Sequence, residues 1–465
     1  MSAAVAFNEL RRAQSLVKLG DIAEFIMGQA PPGSASNFEG RGTVFVKAGE
    51  FGQSHPVVRE WTTKPLRYAK SGDVLICVVG ATAGKLNLGI DCAIGRSVAA
   101  IRPRDKIFDR FLYFQLLPKV LGLRASSTGS AQGVINKSML ANIELFVPEI
   151  AEQHRIVAEI EKQFTRLDAG VAALRRVQAN LKRYRAAVLK AACEGRLVPT
   201  EAELAKAEGR TYETGEQLLA RILTDRRKDW QGRGKYKEPI DPDPTNLPPL
   251  PDGWEYTTID LLLDATSVGM KTGPFGSLLK KSEHTDSGVP VVGIENIGAN
   301  GRFVYGSKIH VTSQKAQDLV AYELLAGDVI ISRSGTVGEL CVVPGGVGIA
   351  RFSTNIMLVR LASPCKAEFF CFLFAGSPFV LGQVQELCKG STRVFLNQHI
   401  LRSIVFPLPP RAEQARIVAE VERRLSVIEK LEATVAADLL CATRLRQSIL
   451  QRAFAKKSAK GVSLR

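Results

Sequence analysis

Glu152-Gln153-His154-Arg155-Ile156-Val157-Ala158-Glu159 returns 261 positions later as Glu413-Gln414-Ala415-Arg416-Ile417-Val418-Ala419-Glu420, so the chain carries two copies of one unit. At the same offset Gly129-Ser130 answers Gly390-Ser391, Asn136 answers Asn397 and Ile143 answers Ile404. Further upstream the offset drops to 255, where Gly72-Asp73-Val74-Leu75-Ile76 matches Gly327-Asp328-Val329-Ile330-Ile331. A change of offset within one repeat means that loops of unequal length separate equivalent elements. A doubled domain of this kind presents two related surfaces.

Downstream of each octamer the pattern predicts a long helix. Ile160, Leu167, Leu174, Leu181 and Val188 lie seven apart, with Val157, Phe164 and Val171 interleaved, which is the apolar seam of a heptad repeat. The second copy repeats it with Val421, Ile428, Val435, Ala442 and Ile449, beside Val418, Leu425 and Leu439. A seam of about forty residues makes a rod of roughly 60 Å. Each rod needs an apolar partner, and the economical one is the other rod. The long connection between them favours an antiparallel pair, with parallel packing as the alternative. Gln178, Arg185, Glu432 and Arg446 interrupt the seam and either fix its register or mark solvent at its edge.

Upstream of each rod, 17–148 and 254–408 mix short β-rich runs such as Thr43-Val44-Phe45-Val46 and Val74–Val79 with glycine and proline punctuation. A helix is expected from Phe108 to Val120, and a strand at Ile143–Val147 closes the first domain. Between the copies, Thr214-Gly215-Glu216-Gln217 reads as a capping box starting a charged helix that reaches about Trp230. Pro239, Pro242, Pro244, Pro248, Pro249 and Pro251 then predict a stiff, extended linker. The expected organisation is α+β: a mixed α/β domain over 1–148, a long helix over 149–196, a linker over 197–253, a second domain over 254–408, and a second long helix with a basic tail over 409–465. The two long helices join the similar domains as an antiparallel coiled coil with pseudo-twofold symmetry.

The chain of 465 residues is 45% hydrophobic, enough for two or three ordinary cores. Lys and Arg number 62 against 46 Asp and Glu, a net charge of +16 that favours polyanionic partners such as nucleic acid. Glu9, Arg11 and Arg12 interrupt the apolar start, so no signal peptide is expected and the protein should be cytoplasmic. Phe369–Leu381 is too short to span a bilayer and reads as a buried helix and turn. The eight cysteines have no metal-ligand spacing and read as reduced core residues.

Catalytic signatures are not evident. Gly80-Ala81-Thr82-Ala83-Gly84-Lys85 resembles a phosphate loop but is one residue short, and Leu86 stands where a magnesium-binding hydroxyl belongs. Its counterpart Gly335-Thr336-Val337-Gly338-Glu339 puts an acid in place of the lysine, so a shared tight turn explains both. An amino-methyltransferase needs an Asn- or Asp-Pro-Pro-aromatic loop, which Asn246-Leu247-Pro248-Pro249-Leu250 does not supply. His55, His154, His284, His310 and His399 form no metal signature, and no nucleophile sits in a recognisable elbow.

The proline-led Glu-Gln-x-x-Ile-Val helix starts at Pro148–Glu161 and Pro409–Glu422 resemble the specificity subunit of Type I restriction-modification systems. The glycine turns at Gly80 and Gly335, the segment Gly273-Pro274-Phe275-Gly276-Ser277 and Glu194-Gly195-Arg196-Leu197 support the likeness, which spans nearly the whole chain. The resemblance implies two target-recognition domains, each reading half of a split DNA sequence, and two helices acting as a ruler. It implies double-stranded DNA, two methyltransferase subunits and two restriction subunits as partners. S-adenosylmethionine, ATP and magnesium would reside on those partners, which perform adenine methylation or cleavage, and this chain would be noncatalytic. The segment 198–251 has no counterpart after the second helix, so the twofold symmetry is imperfect there.

Two reading heads on a rigid spacer imply a bipartite target, because a turn of duplex covers about 34 to 36 Å and intervening bases face away. Heads with unlike loops imply unlike half-sites. Arginine and lysine suit guanine and phosphate, and asparagine and glutamine suit adenine. The candidate DNA contacts are therefore Lys47, Lys85, Arg96, Gln132, Asn136 and Lys137 in the first copy, and Lys271, Lys280, Lys281, Arg333, Arg351, Arg393 and Asn397 in the second. Asn136 and Asn397 also fit as helix caps. Arg155, Glu159, Arg175, Arg176, Arg416, Glu420, Arg423 and Arg424, on the outward helix faces, are assigned by the resemblance to methyltransferase docking. The competing readings are a self-sufficient DNA methyltransferase or nuclease with a cryptic site, and a coiled-coil scaffold.

Overall fold

Both matched Gly-Asp-Val segments become strands with every residue buried, β7 (Val74–Cys77) and β16 (Val329–Ser332). Continuous β-branched and leucine runs of this kind suit strands covered on both faces. The computed structural model describes residues 16–126, 134–230, 236–243, 245, 247–265, 269–275, 278–298, 301–333, 338–387 and 396–454. They fall into two compact units, one of Met1–Val177 with Thr434–Arg465 and one of Gln178–Ala433. Each long helix is thus shared between units, where the sequence suggested separate helical segments beginning at 149 and 409.

In the first unit, β1 (Leu16–Lys18) pairs antiparallel with β11 (Glu144–Phe146), and α1 (Leu19–Ile22) leads into a four-stranded antiparallel sheet. Its order is β2 (Ala23–Met27), β10 (Val98–Pro103), β7 and β8 (Leu86–Leu88). A five-stranded sheet orders β3 (Ser36–Asn37), β5 (Trp61–Thr62), β4 (Thr43–Val46), β9 (Cys92–Ile94) and β6 (Tyr68–Ala69), with β4 and β9 parallel. Helices α2 (Asp109–Ser126) and α3 (Lys137–Ala141) follow, then the long α4 (Ile150–Cys193).

The second unit adds α5 (Glu201–Glu208) and α6 (Gly215–Lys228), then repeats the frame. β12 (Glu255–Thr258) pairs with β20 (Val405–Leu408), and α7 (Ile259–Leu262) follows β12. The four-stranded sheet is β13 (Met270–Thr272), β19 (Ile356–Val359), β16 and β17 (Leu340–Val342). A smaller sheet orders β15 (Ile309–Val311), β14 (Val289–Val292) and β18 (Arg351–Phe352), with β14 and β18 parallel as β4 and β9 are. Helices α8 (Ser313–Asp318), α9 (Ala367–Gly376), α10 (Pro378–Leu387), α11 (Gln398–Ser403) and the long α12 (Arg411–Phe454) complete the unit's elements. The apolar stretch at Phe369–Leu381 is a helix, a bend at Ser377 and a second helix, with Phe369, Phe370, Leu373, Phe374 and Val380 buried. Among the described residues no single helix is long and apolar enough to cross a membrane, although this bent pair meets the length and composition.

The linker expectation needs correction. Thr214 caps α6 in the anticipated box with Gln217, but Leu218 and Ile222 of that helix are 0% and 1% exposed and belong to the core of the second unit. Helix α5 went unanticipated, although Thr200 and Glu203 form the same box. Among the described residues, 197–200, 210–214 and the proline-rich stretch beyond α6 have no helix or strand.

The heptad seam is real and uneven. Ile160 and Val188 on α4, and Val421 and Ile428 on α12, are nearly inaccessible, whereas Leu167, Leu174 and Leu439 are half-buried. Within the first unit Asp168 pairs with Arg446, whose guanidinium lies 4.3 Å from the Phe164 ring centroid. Within the second, Arg185 meets Glu432 at 3.1 Å. Partner number falls as position along α4 rises, which is the antiparallel sense. Three of the four polar intrusions are therefore register-setting pairs, while Gln178 is simply exposed.

The repeated Glu-Gln start has a structural cause. Gln153 Nε2 donates to the carbonyls of Lys106 (2.8 Å) and Pro148 (2.9 Å), and its Oε1 accepts from Phe108 N at 2.8 Å. Gln414 repeats this with Pro409 O (2.9 Å) and Lys366 N (3.0 Å). Each glutamine locks a long helix to the loop before its domain's main helix, satisfying buried backbone groups that would otherwise cost about 1–3 kcal/mol each.

Candidate nucleic-acid interface

In the first unit the turn after β9, Gly95-Arg96-Ser97, closes over the end of β4. A Cβ on Gly95 would meet Lys47 Cγ at 3.1 Å and Phe45 Cζ at 3.2 Å, so glycine lets the turn approach this closely. Lys47 pairs with Glu60, which is 5% exposed, and its ammonium stands 5.6 Å from the Phe45 ring. Arg96 is exposed at the tip and has no ion-pair or hydrogen-bond partner among the described residues. Phe38, 77% exposed, projects from a loop fixed by Asn37, whose Oδ1 accepts from Glu39 N (3.2 Å) and Arg41 N (3.0 Å). These residues line a cleft of about 900 Å³. Neither Phe38 nor Glu60 was expected from the sequence; an exposed phenylalanine beside an asparagine turn was the available signal.

The other candidates of this unit divide. Lys85 donates to the Phe51 carbonyl at 2.6 Å and helps close the glycine turn, in which Gly80 and Gly84 have φ of 80° and 85°. That turn joins β7 to β8, so the phosphate-loop likeness is a hairpin. Asn136 Oδ1 accepts from Met139 N at 2.9 Å, an N-cap of α3, and Lys137 is exposed next to it. Gln132 lies outside the described residues.

Equivalent backbone bonds superpose the second unit on the first. Ser353 N donates to Val292 O as Gly95 N does to Val46 O, and Arg333 N donates to Asn355 O as Val78 N does to Ser97 O. Lys47 therefore corresponds to Gly293, Arg96 to Thr354, and Val78 to Arg333. Arg333 is 6% exposed, with its guanidinium 5.0 Å from the Phe275 ring, and burial lowers its pKa. Lys271 donates to Ala321 O at 2.8 Å and sits 4.4 Å from the Tyr322 ring, and desolvation lowers its pKa too. Lys280 and Lys281 are exposed.

Arg351 is a correction to the surface set. It is 4% exposed, with Nε donating to Ala316 O at 2.9 Å and Nη1 reaching Glu323 at 3.2 Å. Its charge is spent inside the domain. Asn397 caps α11 through Ile400 N at 2.9 Å, matching Asn136. Arg393 lies outside the described residues.

Along the long helices Arg155, Arg175 and Arg176 are exposed, and Glu159 accepts from Gln163 at 2.9 Å. Glu420 takes bonds from Arg423 (2.8 Å) and Arg424 (2.6 Å), which hold its carboxyl down at about 2. Arg416 differs from the outward set, because it bonds Glu201 at 2.5 Å and Pro199 O at 3.4 Å, tying α12 to α5. Next to it Glu413, fully buried, accepts from Trp254 Nε1 (2.9 Å) and Glu201 N (2.8 Å), and desolvation raises its pKa. Burial likewise pushes the Cys77 thiol to about 11 and Cys92 to about 12, leaving both as unreactive core residues. Among these described residues, none pairs a nucleophile with a base. What the geometry offers is one repeated frame whose rim carries an exposed arginine, Arg96, in the first unit and a buried one, Arg333, in the second.

The family described as Type I restriction modification DNA specificity domain matches residues 15–172 and 252–435. The EcoBI specificity subunit of Escherichia coli is 22% identical over 356 residues, covering 75% of this chain and 66% of that protein. The EcoKI specificity subunit of Escherichia coli K12 is 23% identical over 388 residues, covering 81% of this chain and 71% of that protein. The putative MjaX specificity subunit of Methanocaldococcus jannaschii is 33% identical over 161 residues, covering 33% of this chain and 37% of its own length. This chain thus spans just under two thirds of the first relative and little over a third of the last. A solved chain described under complex assembly and conformational transition of the type I R-M system has a TM-score of 0.64 at 20% identity, covering 95% of this chain and 97% of its own. At that identity the likeness shows the fold.

Proposed function

Because this chain belongs to the Type I restriction modification DNA specificity family, we propose that it is a specificity subunit reading a bipartite, asymmetric DNA target. The observation that carries this reading is one backbone frame used twice with different side chains at the rim. Two heads built on one frame suit the same kind of groove contact, and unequal rim residues call for unequal half-sites. The net charge of +16 supplies the sequence-independent attraction to phosphate. Helix α4 has 44 residues, about 66 Å at 1.5 Å per residue, or roughly two turns of duplex. That is the scale of a ruler between half-sites.

In this reading the chain supplies the address, and partners supply the chemistry. Methyltransferase subunits, carrying S-adenosylmethionine, methylate adenine within the target, and restriction subunits use ATP and magnesium to cleave DNA lacking the mark. The outward charges of the long helices, Arg155, Glu159, Arg175, Arg176, Glu420, Arg423 and Arg424, are the docking candidates, while Arg416 instead ties α12 to Glu201 and Pro199 of a separate segment. The test is methylation mapping in a methylation-free host expressing the chain with its methyltransferase subunits. One split, non-palindromic motif is expected. Methylation without any motif, or methylation by this chain alone, defeats the reading.

A further inference from the structure

We propose that Arg96 determines specificity in the first head by reading a guanine in the major groove, from the cleft that Phe38, Phe45, Lys47, Glu60 and Ser97 line with it. The inference rests on the reading of the chain as a DNA-specificity subunit and adds where, and by what chemistry, the first half-site is read.

The cleft is not a phosphate cradle. Glu60 is a buried carboxylate in its lining, and a phosphate placed beside it would meet like-charge repulsion. Lys47 is neutralised by that carboxylate, so the pair contributes no net charge. Arg96 is left as the uncompensated cation among the described lining residues, exposed at the tip of a turn that Gly95 holds against Lys47 and Phe45. The turn is braced further by Ala48 N donating to Ser97 Oγ at 3.2 Å and Val78 N donating to Ser97 O at 2.9 Å. A guanidinium on so fixed a base is suited to the bidentate pair with guanine O6 and N7. Phe38, exposed on its pinned loop, offers the apolar contact that a neighbouring thymine methyl prefers.

The second head gives the control. There the position of Arg96 is Thr354, whose hydroxyl donates to Pro274 O at 2.7 Å and is thereby occupied. Lys47 is replaced by Gly293, and Arg333, which stands where the first head has Val78, is buried, donates to Thr354 O at 3.3 Å and lies 5.0 Å from the Phe275 ring, so it does not replace Arg96 as an exposed cation. Arg96 therefore acts on one half-site only.

The experiment compares the full chain, assembled with its methyltransferase subunits, as wild type, Arg96→Ala and Arg96→Lys, selecting from a duplex library randomised across both half-sites at several salt concentrations. Arg96→Ala should cost about ten- to hundredfold in preference for G·C at a single position of one half-site and leave the other half-site intact. Arg96→Lys should keep most of the affinity and its salt dependence yet lose that base preference, which a folding defect would not produce. Unchanged motifs in both variants overturn the proposal. So does a uniform loss across all sequences with a shallower salt slope, since that marks a phosphate contact. A wild-type complex that selects no motif sinks the specificity reading itself, and this inference with it.

Discussion

The two heads share a skeleton and differ at the rim. In the first, Asp73 takes two bonds of 2.9 Å from Arg102; in the second, Asp328 takes bonds of 2.7 and 2.8 Å from Arg360. Each aspartate follows a left-handed glycine, Gly72 or Gly327, and also accepts a backbone N–H, from Lys70 or Leu325. Three levels of restraint, from glycine turn, hydrogen bond and ion pair, fix the same entry into β7 and β16 in both copies. At the rim the side-chain bonds differ between the copies, Lys47 with Glu60 in the first and Thr354 with Pro274 O in the second. Lys47 and Arg96 give way to Gly293 and Thr354, and Val78 gives way to Arg333, without moving the backbone bonds around them. The lesson is that a recognition domain can change its address cheaply where side chains leave the frame, and expensively where they hold it.

The largest effect should come from breaking the frame. Asp328→Ala strands Arg360, whose side chain is 16% exposed, and should cost about 3–5 kcal/mol in chemical denaturation. Asp73→Ala should cost less, because the Arg102 side chain is 30% exposed and water can compensate. Equal losses in the two variants would contradict the burial argument.

A middling effect separates caps from readers. Asn136→Ala and Asn397→Ala should each lower stability by about 1 kcal/mol, the worth of an N-cap, with the selected DNA motif unchanged. A lost adenine preference in either variant would restore that residue to the contact set.

The smallest effect is a pair of opposed pH dependences on the second long helix. Glu413 has its folded pKa raised by burial, so it favours folding below the ordinary glutamate value and loses that contribution as pH climbs through the raised value. Glu420 is held down at about 2 by Arg423 and Arg424, so its contribution is present above the ordinary value and fades as pH falls toward 2. Stability measured across the acid range should flatten at its upper side in Glu413→Gln and at its lower side in Glu420→Gln. Identical profiles in wild type and variants would show that neither shift operates.

Much of the frame was legible because it rests on local patterns. Heptads locate both 44-residue helices, and Thr214 with Gln217 starts α6 as its box requires. Thr200 with Glu203 carries the same signal for α5, within a stretch dominated by charged residues. The stretch 197–253 read as a linker because its prolines dominate, yet Leu218 and Ile222 place α6 in a core whose other members are up to some two hundred residues away. Composition could not reveal that contact. The rim was legible only as a list of cations without ranks.

The sequence by itself determined the duplication, the two rods, the helix caps and the positive charge, because each depends on residue spacing or on counting. Tertiary structure alone decided which of two arginines beside equivalent β-strands faces solvent. Arg96 sits one residue beyond a turn glycine and points free, while Arg351 begins a strand beneath Ala316 and Glu323 and is consumed there. Burial is set by neighbours remote in sequence, and it fixes whether a charge is available to a partner or already paired.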